Sequence, residues 1–266
     1  MKSEFCISVA KNPGNFGEIV HNAGYKALGL DFQYKAFSTN NIYGVINGVK
    51  ALGIRGCSIS MPFKEKVLPL LDELDPLAKR AKAVNTIVNE NGHLIGYNTD
   101  VIGMQNCLKS FKIKKNKKIL VIGAGGVARA ILVALENLKF KNISLSNRTT
   151  KRGKNTAKEF HVNFVQWHKR EDIVAEIIIN ATPIGMTPNT NLLPISEKSI
   201  SQAQLIIDVI VKPTNTKLIQ VANINKIPTI DGTKIALNQA YEQFKLYTGK
   251  NPPKDIMKKA LEKNRR

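Results

Sequence analysis

The sequence contains few acidic residues, few aromatic residues and little cysteine. Its 266 residues include 20 Asp and Glu against 40 Lys and Arg, which gives a net charge of +20, and aromatic residues make up 6%. No apolar run approaches the roughly 20 residues that a membrane-crossing helix needs, so an integral membrane protein is excluded. The first residues lack the extended apolar stretch of a secretory signal, and we expect no such signal.

The three cysteines, Cys6, Cys57 and Cys107, are far apart and odd in number. They form no C-x-x-C pair, so they indicate neither a disulfide framework nor a metal site. We expect reduced thiols in a cytoplasmic protein without a metal or a membrane partner. The length and the 43% hydrophobic content are typical of one or two folded domains.

The positive charge is concentrated near the middle of the chain. Residues 101–135 contain no acid, and six lysines crowd residues 109–118. A nucleic-acid surface should interleave aromatic side chains with such bases, but Phe111 stands alone among them. We therefore expect a solvated basic surface or a site for anionic ligands and no specific nucleic-acid partner. A polyanion-binding protein with a vestigial cofactor fold stays as the alternative of another class.

Short apolar runs alternate with helical patterns, which is typical of an α/β protein whose sheets are flanked by helices. In the first part we expect strands at 5–10, 33–37 and 56–60 and helices at 18–28 and 42–52. A hairpin should join 84–88 to 94–97, because Asn91-Gly92 readily adopts positive φ.

A second α/β series follows Asp100. It predicts strands at 118–122, 143–146, 177–180, 205–209 and 229–230, with helices at 101–111, 128–138 and 217–223. The closing helices, at 235–246 and 253–262, have no strand partner and should pack back on the first half. These patterns predict two domains, 1–101 and 102–234, with residues 235–266 returning to the first and a cleft between the domains.

A glycine-rich turn lies between a predicted strand and an apolar helix. Its residues, Gly123, Ala124, Gly125, Gly126, Val127 and Ala128, fit G-x-G-x-x-A. The first Gly permits the tight turn, the second lets a pyrophosphate approach backbone N-H groups, and the Ala lets helix and strand pack closely. The turn predicts a dinucleotide site at a helix N-terminus.

The end of the next strand indicates which dinucleotide binds. An NAD site usually presents an acid there, whereas this chain has Asn147-Arg148-Thr149 followed by Arg152. Arginine can pair with a 2′-phosphate in a charge-assisted way, so NADP is favoured over NAD. Loop bases that simply face water are the alternative interpretation.

Two further segments carry candidate chemistry. Pro62 follows a buried strand and predicts a helix start, which would place Lys64 in a first turn where the helix dipole disfavours a cation. A solvated surface lysine is the plainer interpretation. Asp100 ends a predicted hairpin, and its plainer interpretation is an N-cap for the following helix.

Taken together, these segments resemble the shikimate dehydrogenase family. The matching stretches occur in family order: Pro62-Phe63-Lys64-Glu65, Ala83-Val84-Asn85-Thr86, Asn98-Thr99-Asp100, Gly123 to Ala128, Asn147-Arg148-Thr149, Asn180-Ala181-Thr182-Pro183-Ile184-Gly185-Met186, and Asp231-Gly232 leading to Gln239-Ala240. The resemblance implies a substrate domain, a Rossmann-type NADP domain, and reversible hydride transfer between shikimate and NADP in aromatic amino acid precursor synthesis. It leaves a monomer and a homodimer open.

The resemblance also implies roles for residues. Lys64 and Asp100 would be catalytic, because the alcohol must lose a proton as it loses hydride; how they divide that task stays open. Asn85 and Gln239, with Asp100, would hold substrate hydroxyls, and Ser60 stands where the family commonly has Thr. Thr182, Met186, Val209 and Gly232 would border the cofactor.

The chain departs from the family at two places. Asn15-Phe16-Gly17 replaces an S-x-S whose hydroxyls hold the substrate carboxylate, and Val211 replaces an expected Tyr. Asn15 is then the remaining candidate contact, and the variant resembles the shikimate dehydrogenase-like branch. We expect weak shikimate turnover, with quinate or another cyclic hydroxy acid as the alternative substrate. His21, in the helix ahead of Asn22, should be a packing or capping residue.

Overall fold

The computed structural model describes residues 3–264, and the chain divides into two compact units. Unit 1 comprises Met1–Gly103 with Leu237–Arg266, and unit 2 comprises Met104–Ala236. The boundaries expected after residues 101 and 234 lie close to these divisions. Residues 1–2 and 265–266 of the predicted domain ranges lie outside the described residues.

Unit 1 contains a mixed six-stranded sheet in the order β2-β1-β3-β5-β6-β4. In this sheet β1 is parallel to β2 and β3, whereas β5 is antiparallel to β3 and β6. At the hairpin turn, Asn91 and Gly92 take the expected positive φ of 54° and 94°. The strands are β1 (Glu4–Ala10), β2 (Phe32–Ser38), β3 (Gly56–Ile59), β4 (Glu73–Leu74), β5 (Thr86–Glu90) and β6 (His93–Tyr97).

Unit 2 contains a fully parallel sheet in the order β12-β11-β10-β7-β8-β9. Its central strands are buried along their whole length, which suits a sheet covered on both faces. The order is that of a dinucleotide-binding fold, with the switch point between β7 and β10. The strands are β7 (Ile119–Ile122), β8 (Ile143–Ser146), β9 (Asn163–Val165), β10 (Ile177–Asn180), β11 (Leu205–Asp208) and β12 (Thr229–Ile230).

Ten α-helices lie within residues 3–264, and two of them, α4 and α9, carry the chain from one unit to the other. The two-domain α/β prediction, with a Rossmann-type second domain, is thereby confirmed. In chain order the helices are α1 (Phe16–Ala27), α2 (Ile42–Ala51), α3 (Pro76–Ala81), α4 (Thr99–Ser110), α5 (Gly126–Asn137), α6 (Thr150–Glu159), α7 (Glu197–Ser201), α8 (Lys217–Ile224), α9 (Gly232–Thr248) and α10 (Lys254–Lys263).

The closing helices pack on unit 1, as the sequence predicts. At Gly24 of α1, an added Cβ would lie 2.6 Å from the ring of Phe244 in α9, so glycine permits the close approach of the two helices. Arg55, just before β3, donates to the backbone carbonyls of Leu246 and Tyr247 at 3.5 and 3.0 Å. Helix α9 is therefore fixed to the sheet of unit 1.

None of the helices between residues 3 and 264 combines the length and apolar character that crossing a bilayer requires. The three cysteines are buried, and none of them forms a disulfide.

Candidate active site

Lys64 and Asp100 form a largely buried ion pair in unit 1. The Nζ atom of Lys64 lies 2.5 Å from Oδ2 of Asp100, and their side chains are 13% and 15% exposed. Lys64 lies in the turns after β3, and Asp100 lies in the first turn of α4. The fold thus brings together an amine and a carboxylate that are distant in sequence.

The helix predicted to start at Pro62 is wrong. Residues 61–67 form turns, and the regular element that follows is a 3-10 helix at Leu68–Leu70. The reason is pairing with a neighbouring segment, since the carbonyl of Lys64 accepts from the backbone N-H of Val84 at 2.8 Å. The strand predicted at 84–88 begins two residues later, at Thr86. Consequently Lys64 does not lie in the first turn of a helix of its own, and Asp100 is the charge that compensates its ammonium.

Asp100 does not cap the helix that follows. Helix α4 already begins at Thr99, and the Oδ1 atom of Asn98 accepts from the backbone N-H of Val101 at 3.4 Å. The carboxylate of Asp100 instead accepts from Lys64 and, at 2.9 Å, from Nδ2 of Asn85. Asp100 is therefore committed to side chains of the candidate site.

Asn85 connects the members of this cluster. It is 2% exposed, and its Oδ1 accepts from the backbone N-H of Thr99 at 2.8 Å, which fixes the orientation of the amide. Its Nδ2 then lies 2.9 Å from Oδ1 of Asp100 and 3.1 Å from Oε1 of Gln239 in α9. An amine, a carboxylate and two amides can together bind a polyhydroxylated molecule and transfer a proton.

Two predicted substrate contacts do not join these hydrogen bonds. Ser60 is exposed after β3, and Asn15 is exposed before α1 with no side-chain bond to the helix. The backbone N-H of Lys11 donates to the carbonyl of Met61 at 3.2 Å, which places the two loops side by side. Both residues are thus presented at the carboxyl ends of β1 and β3.

Gly17 shows why the missing serine matters. An added Cβ there would lie 2.7 Å from the ring of Tyr34 and 2.9 Å from its hydroxyl. Tyr34 therefore occupies the space that a side chain at position 17 would need. The loss of the S-x-S hydroxyls is built into the packing of this part of unit 1.

In unit 2, the glycine-rich turn lies at the sheet's switch point. Gly123 follows β7 with φ of +117°, and an added Cβ would lie 2.8 Å from the carbonyl oxygen of Ala181, so only glycine fits. Helix α5 begins at Gly126, and the N-H groups of its first turn have no intrahelical acceptors. Next to Gly125, the nearest atom to an added Cβ is 3.9 Å away. The turn leaves space and donors for a pyrophosphate, with Ala124, Val127 and Ala128 completing it.

The predicted 2′-phosphate residues lie beside this turn. Arg148 and Thr149 are exposed between β8 and α6, and Asn147 donates to the carbonyl of Thr149 at 2.9 Å. Arg152 reaches back from α6, where its Nε donates to the carbonyl of Ala124 at 2.8 Å. The structure thus joins Arg152 to the glycine-rich turn and leaves Arg148 facing outward.

The remaining predicted cofactor residues lie just after the carboxyl ends of β10, β11 and β12. Thr182 donates to Oδ1 of Asn180 at 2.7 Å, and Nδ2 of Asn180 donates to Asp208 at 3.1 Å. Met186 is half-buried in the loop after Thr182, and Val209 donates its N-H to the carbonyl of Asn180 at 3.2 Å. Gly232 approaches the backbone of residues 209–210 so closely that a Cβ would overlap it. Hydrogen bonds therefore fix both loops.

The sequence analysis assigned no role to several polar residues that organise these sites. In unit 1 they are Thr86, Thr99 and Gln243, and in unit 2 they are Asp208 and Thr216. A signal was available for Gln243, because it follows Gln239 by one helical turn on a helix that also presents buried Phe244. Within residues 3–264, no group of three or more His, Cys, Asp or Glu is placed to hold a metal ion.

Comparison with known proteins matches the chain along most of its length. Residues 17–87 match the shikimate dehydrogenase substrate binding domain, 106–232 match shikimate / quinate 5-dehydrogenase, and 232–262 match the shikimate 5'-dehydrogenase C-terminal domain. The chain belongs to the shikimate dehydrogenase family. The resemblance noted in the sequence is thus confirmed, and the family is one of oxidoreductases.

Two relatives within the family are similar over nearly all of both chains. A shikimate dehydrogenase-like protein of Haemophilus influenzae is 38% identical, covering 97% of this chain and 95% of that protein. A shikimate dehydrogenase (NADP(+)) of Methanocaldococcus jannaschii is 39% identical, covering 93% and 92%. The first agrees with the expected shikimate dehydrogenase-like branch.

Solved structures of the family have the same fold. A shikimate 5-dehydrogenase-like protein superimposes with a TM-score of 0.89 at 38% identity, covering 99% of this chain and 98% of that one. The Thermus thermophilus shikimate 5-dehydrogenase in complex with NADP(H) and shikimate gives 0.88 at 27%, covering 98% and 99%. The Corynebacterium glutamicum quinate dehydrogenase in complex with NAD gives 0.89 at 27%, with the same coverage.

Asp208 makes the stability of unit 2 depend on pH. The pKa of Asp208 is raised to about 6 from its ordinary 3.8, mainly by burial and also by nearby Asp231, against hydrogen bonds from Thr216, Ile210 and Asn180 that lower it. The folded state then binds this proton more tightly than the unfolded chain, so stability falls as pH rises from about 4 to about 6. In Asp208→Asn this fall should be absent, and the free energy of unfolding relative to the parent should rise by roughly 1–3 kcal/mol across that window.

Urea unfolding at several pH values between 4 and 7 measures this difference. Asp172→Asn, at an exposed position of the same unit, is the control and should stay within about 0.5 kcal/mol of the parent. A difference between Asp208→Asn and the parent that is constant with pH would contradict the assignment.

Proposed function

We propose that the protein is an NADP-dependent oxidoreductase that transfers hydride reversibly between shikimate and NADP, as a step in aromatic amino acid precursor synthesis. The observation that carries this proposal is the buried pair of Lys64 and Asp100, 2.5 Å apart and flanked by Asn85 and Gln239. Membership of the shikimate dehydrogenase family and relatives named for this activity support it.

The pair suits the proton transfer that alcohol oxidation requires. The hydroxyl must release a proton while its carbon loses hydride, so a base has to contact that oxygen. Lys64 takes the proton in its amine form, and Asp100 holds both the hydroxyl and the ammonium that results. Asn85 and Gln239 bind neighbouring hydroxyls, while Ser60 and Asn15 border the rest of the ring.

The residues of unit 2 fit an NADP molecule. The N-H groups at the start of α5 suit the pyrophosphate, and Arg148, Thr149 and Asn147 suit the adenosine end with its 2′-phosphate. Thr182, Met186, Val209 and Gly232 border the nicotinamide, which, when bound, accepts or supplies the hydride. A quinate dehydrogenase and a Listeria monocytogenes shikimate 5-dehydrogenase of this fold were crystallised with NAD. The choice of NADP over NAD for this protein therefore rests on Arg148.

The alternative is a related cyclic hydroxy acid, such as quinate, with weak activity on shikimate. It is suggested by the altered carboxylate contacts, since Tyr34 fills the space beside Gly17 where the family's serine would stand, and the carboxylate of any acid has to be bound differently here. Losing a hydrogen bond to a charged group costs about 1.5–3 kcal/mol, or roughly ten- to hundredfold in binding. The chemistry at Lys64 and Asp100 would be the same for either acid.

Polyanion binding has only the net charge of +20 in its favour. In the lysine-rich segment, Lys117 is paired with Glu176 at 2.5 Å and Lys115 lies 4.4 Å from the ring centre of Phe140. These lysines are thus partly engaged within the fold. Polyanion binding is therefore kept as one outcome of the screen for NADPH formation.

A spectrophotometric screen for NADPH formation tests the proposed reaction. With shikimate, quinate and related acids, we expect detectable turnover of shikimate that is limited by a high KM, because two carboxylate donors are missing. Asn15→Ser, which restores one hydroxyl, should lower that KM. If none of the acids yields NADPH and the protein binds DNA with steep salt dependence instead, the polyanion reading replaces this proposal.

Substitution of Lys64 tests the base. Lys64→Ala should lower kcat by about 10²- to 10⁴-fold, because the proton of the hydroxyl loses its acceptor, while affinity for NADP stays nearly unchanged. Lys66→Ala, at an exposed position two residues along, is the matched control and should retain the parent rate. A fully active Lys64→Ala variant would show that the base is a different group.

Substitution of Arg148 tests cofactor selection. Arg148→Ala should weaken NADP binding by about ten- to hundredfold and leave NAD binding nearly unchanged, because only NADP carries the 2′-phosphate. Lys154→Ala, on the exposed surface of α6, is the control. Dissociation constants from fluorescence titration decide the matter, and equal affinities of the parent protein for both dinucleotides would overturn the assignment.

A further inference from the structure

A buried glutamine lies one turn beyond Gln239 in α9. Gln243 is 1% exposed and is surrounded on its helix by apolar neighbours such as Phe244, which is fully buried. Burying an amide costs free energy unless its polar atoms are hydrogen-bonded. Every partner of Gln243 should therefore help to explain why this position is polar.

The partners fix the direction of the Gln243 amide. Its Nε2 lies 2.9 Å from Oγ1 of Thr86, 3.1 Å from Oγ of Ser58 and 3.4 Å from the backbone carbonyl of Asn85. A carbonyl can only accept, so the NH₂ group faces Asn85 and Thr86. The oxygen Oε1 then faces His21, whose Nε2 is 3.4 Å away.

His21 is the hydrogen-bond partner of the Gln243 oxygen. It is fully buried and stacks on Tyr34, with the ring centres 4.6 Å apart and with Tyr25 and Tyr247 nearby. Burial lowers the pKa of His21 to about 4, so the ring is neutral at pH 7. Because Nε2 faces an oxygen acceptor, the ring proton is on Nε2. The packing role expected for His21 therefore includes a hydrogen bond.

From the NH₂ group of Gln243, a series of hydrogen bonds continues to Asp100. Thr86, which is fully buried, donates its hydroxyl proton to Oδ1 of Asn85 at 2.9 Å. Asn85 donates from Nδ2 to Oδ1 of Asp100 at 2.9 Å, and the other oxygen of Asp100 contacts Lys64. Donors therefore point in one direction along the whole chain, which runs from His21 through Gln243, Thr86 and Asn85 to Asp100.

We propose that Gln243 is a positioning residue for the Lys64 and Asp100 pair. By presenting its NH₂ group to Thr86, it makes Thr86 a donor to Asn85, and this holds the Asn85 amide on the carboxylate of Asp100. The inference rests on the proposed function, because it takes Lys64 and Asp100 to be the groups that transfer the proton. Gln243 itself contacts Ser58, Asn85, Thr86 and His21, and acts through them.

A different hydrogen-bond direction would weaken that hold. If the Gln243 amide were reversed, its oxygen would face Thr86, and the Thr86 hydroxyl would donate to Gln243 instead of to Asn85. Oδ1 of Asn85 would then keep the backbone N-H of Thr99 as its main donor. Hydrogen bonds that follow one another in a low dielectric strengthen one another. Loss of the bond from Thr86 to Asn85 would therefore weaken the last bond, from Asn85 to Asp100.

Paired substitutions separate positioning from simple packing. Gln243→Met and Thr86→Val nearly keep the side-chain volume but break the series of hydrogen bonds from His21 to Asp100. Each should lower kcat about three- to tenfold with NADP affinity unchanged. Thr86→Ser keeps the hydroxyl and should restore kcat to within about twofold of the parent. The double variant Gln243→Met with Thr86→Val should be no slower than either single variant, because both substitutions break the same series of hydrogen bonds.

Tyr247→Phe is the control for this experiment. It removes a buried hydroxyl from the same core, at a residue outside the chain, and kcat should stay within about twofold of the parent. If Thr86→Val kept the parent kcat, or if Tyr247→Phe lowered it as much as Gln243→Met, the positioning role would be rejected. Should Gln243→Met fail to fold, the comparison of Thr86→Val with Thr86→Ser still decides.

Nuclear magnetic resonance gives a readout independent of turnover. In the parent at pH 7, ¹⁵N spectra should show the proton of His21 on Nε2, and the side-chain NH₂ of Asn85 should exchange slowly with solvent. Both Gln243→Met and Thr86→Val should speed the exchange of the Asn85 NH₂ at least tenfold, whereas Tyr247→Phe should not. A proton on Nδ1 of His21, or unchanged Asn85 exchange in both variants, would overturn the inference even if the parent proved inactive on every acid.

Discussion

The constraint on which the rest of unit 1 depends is the burial of a cation beside an anion. A lysine that is 13% exposed and an aspartate that is 15% exposed are stable together because each compensates the other, whereas either alone would be strongly unfavourable. The amide of Asn85 donates to the second oxygen of Asp100. Removing one charge would therefore change both the chemistry and the packing, and the neighbouring polar residues are best understood as supports of this pair.

Unit 2 meets a different constraint, which is to bring backbone close to an anion. At the switch point of its parallel sheet, the turn after β7 needs a glycine with positive φ, and the loops after β10 and β11 are held by Asn180 and Asp208. Asp208 is expensive to bury in its charged form, and three hydrogen bonds offset that cost. Both units thus commit buried polar groups to the carboxyl ends of their strands.

The sequence predicts most of the strands because their apolar runs are short and bounded by turn residues. The sequence does not predict α6, because its residues Thr150–Glu159 are almost all polar and show no apolar periodicity. Only Gly153, Thr156 and Ala157 of this helix are buried. The sequence prediction also fails at Pro62, because the backbone partner of Lys64 is Val84, a contact that local pattern cannot reveal. Lys64 and Asp100 were predicted from motif resemblance, whereas Gln243 required the path of α9.

The departure from the family's pattern at Asn15 to Gly17 affects one part of unit 1 and spares another, whereas the departure at Val211 lies in unit 2. Around Lys64, every amide and carboxylate expected from the resemblance is present and hydrogen-bonded, and the chain from His21 to Asp100 is continuous. Around Gly17, the space for a serine is taken by Tyr34. Lys64 and Asp100 are held by largely buried bonds, whereas Asn15 is exposed and Gly17 packs against Tyr34. A change in the substrate contacts therefore leaves the proposed proton-transfer groups in place. The family's chemistry is therefore separable, within this one unit, from the recognition of the acid on which it acts.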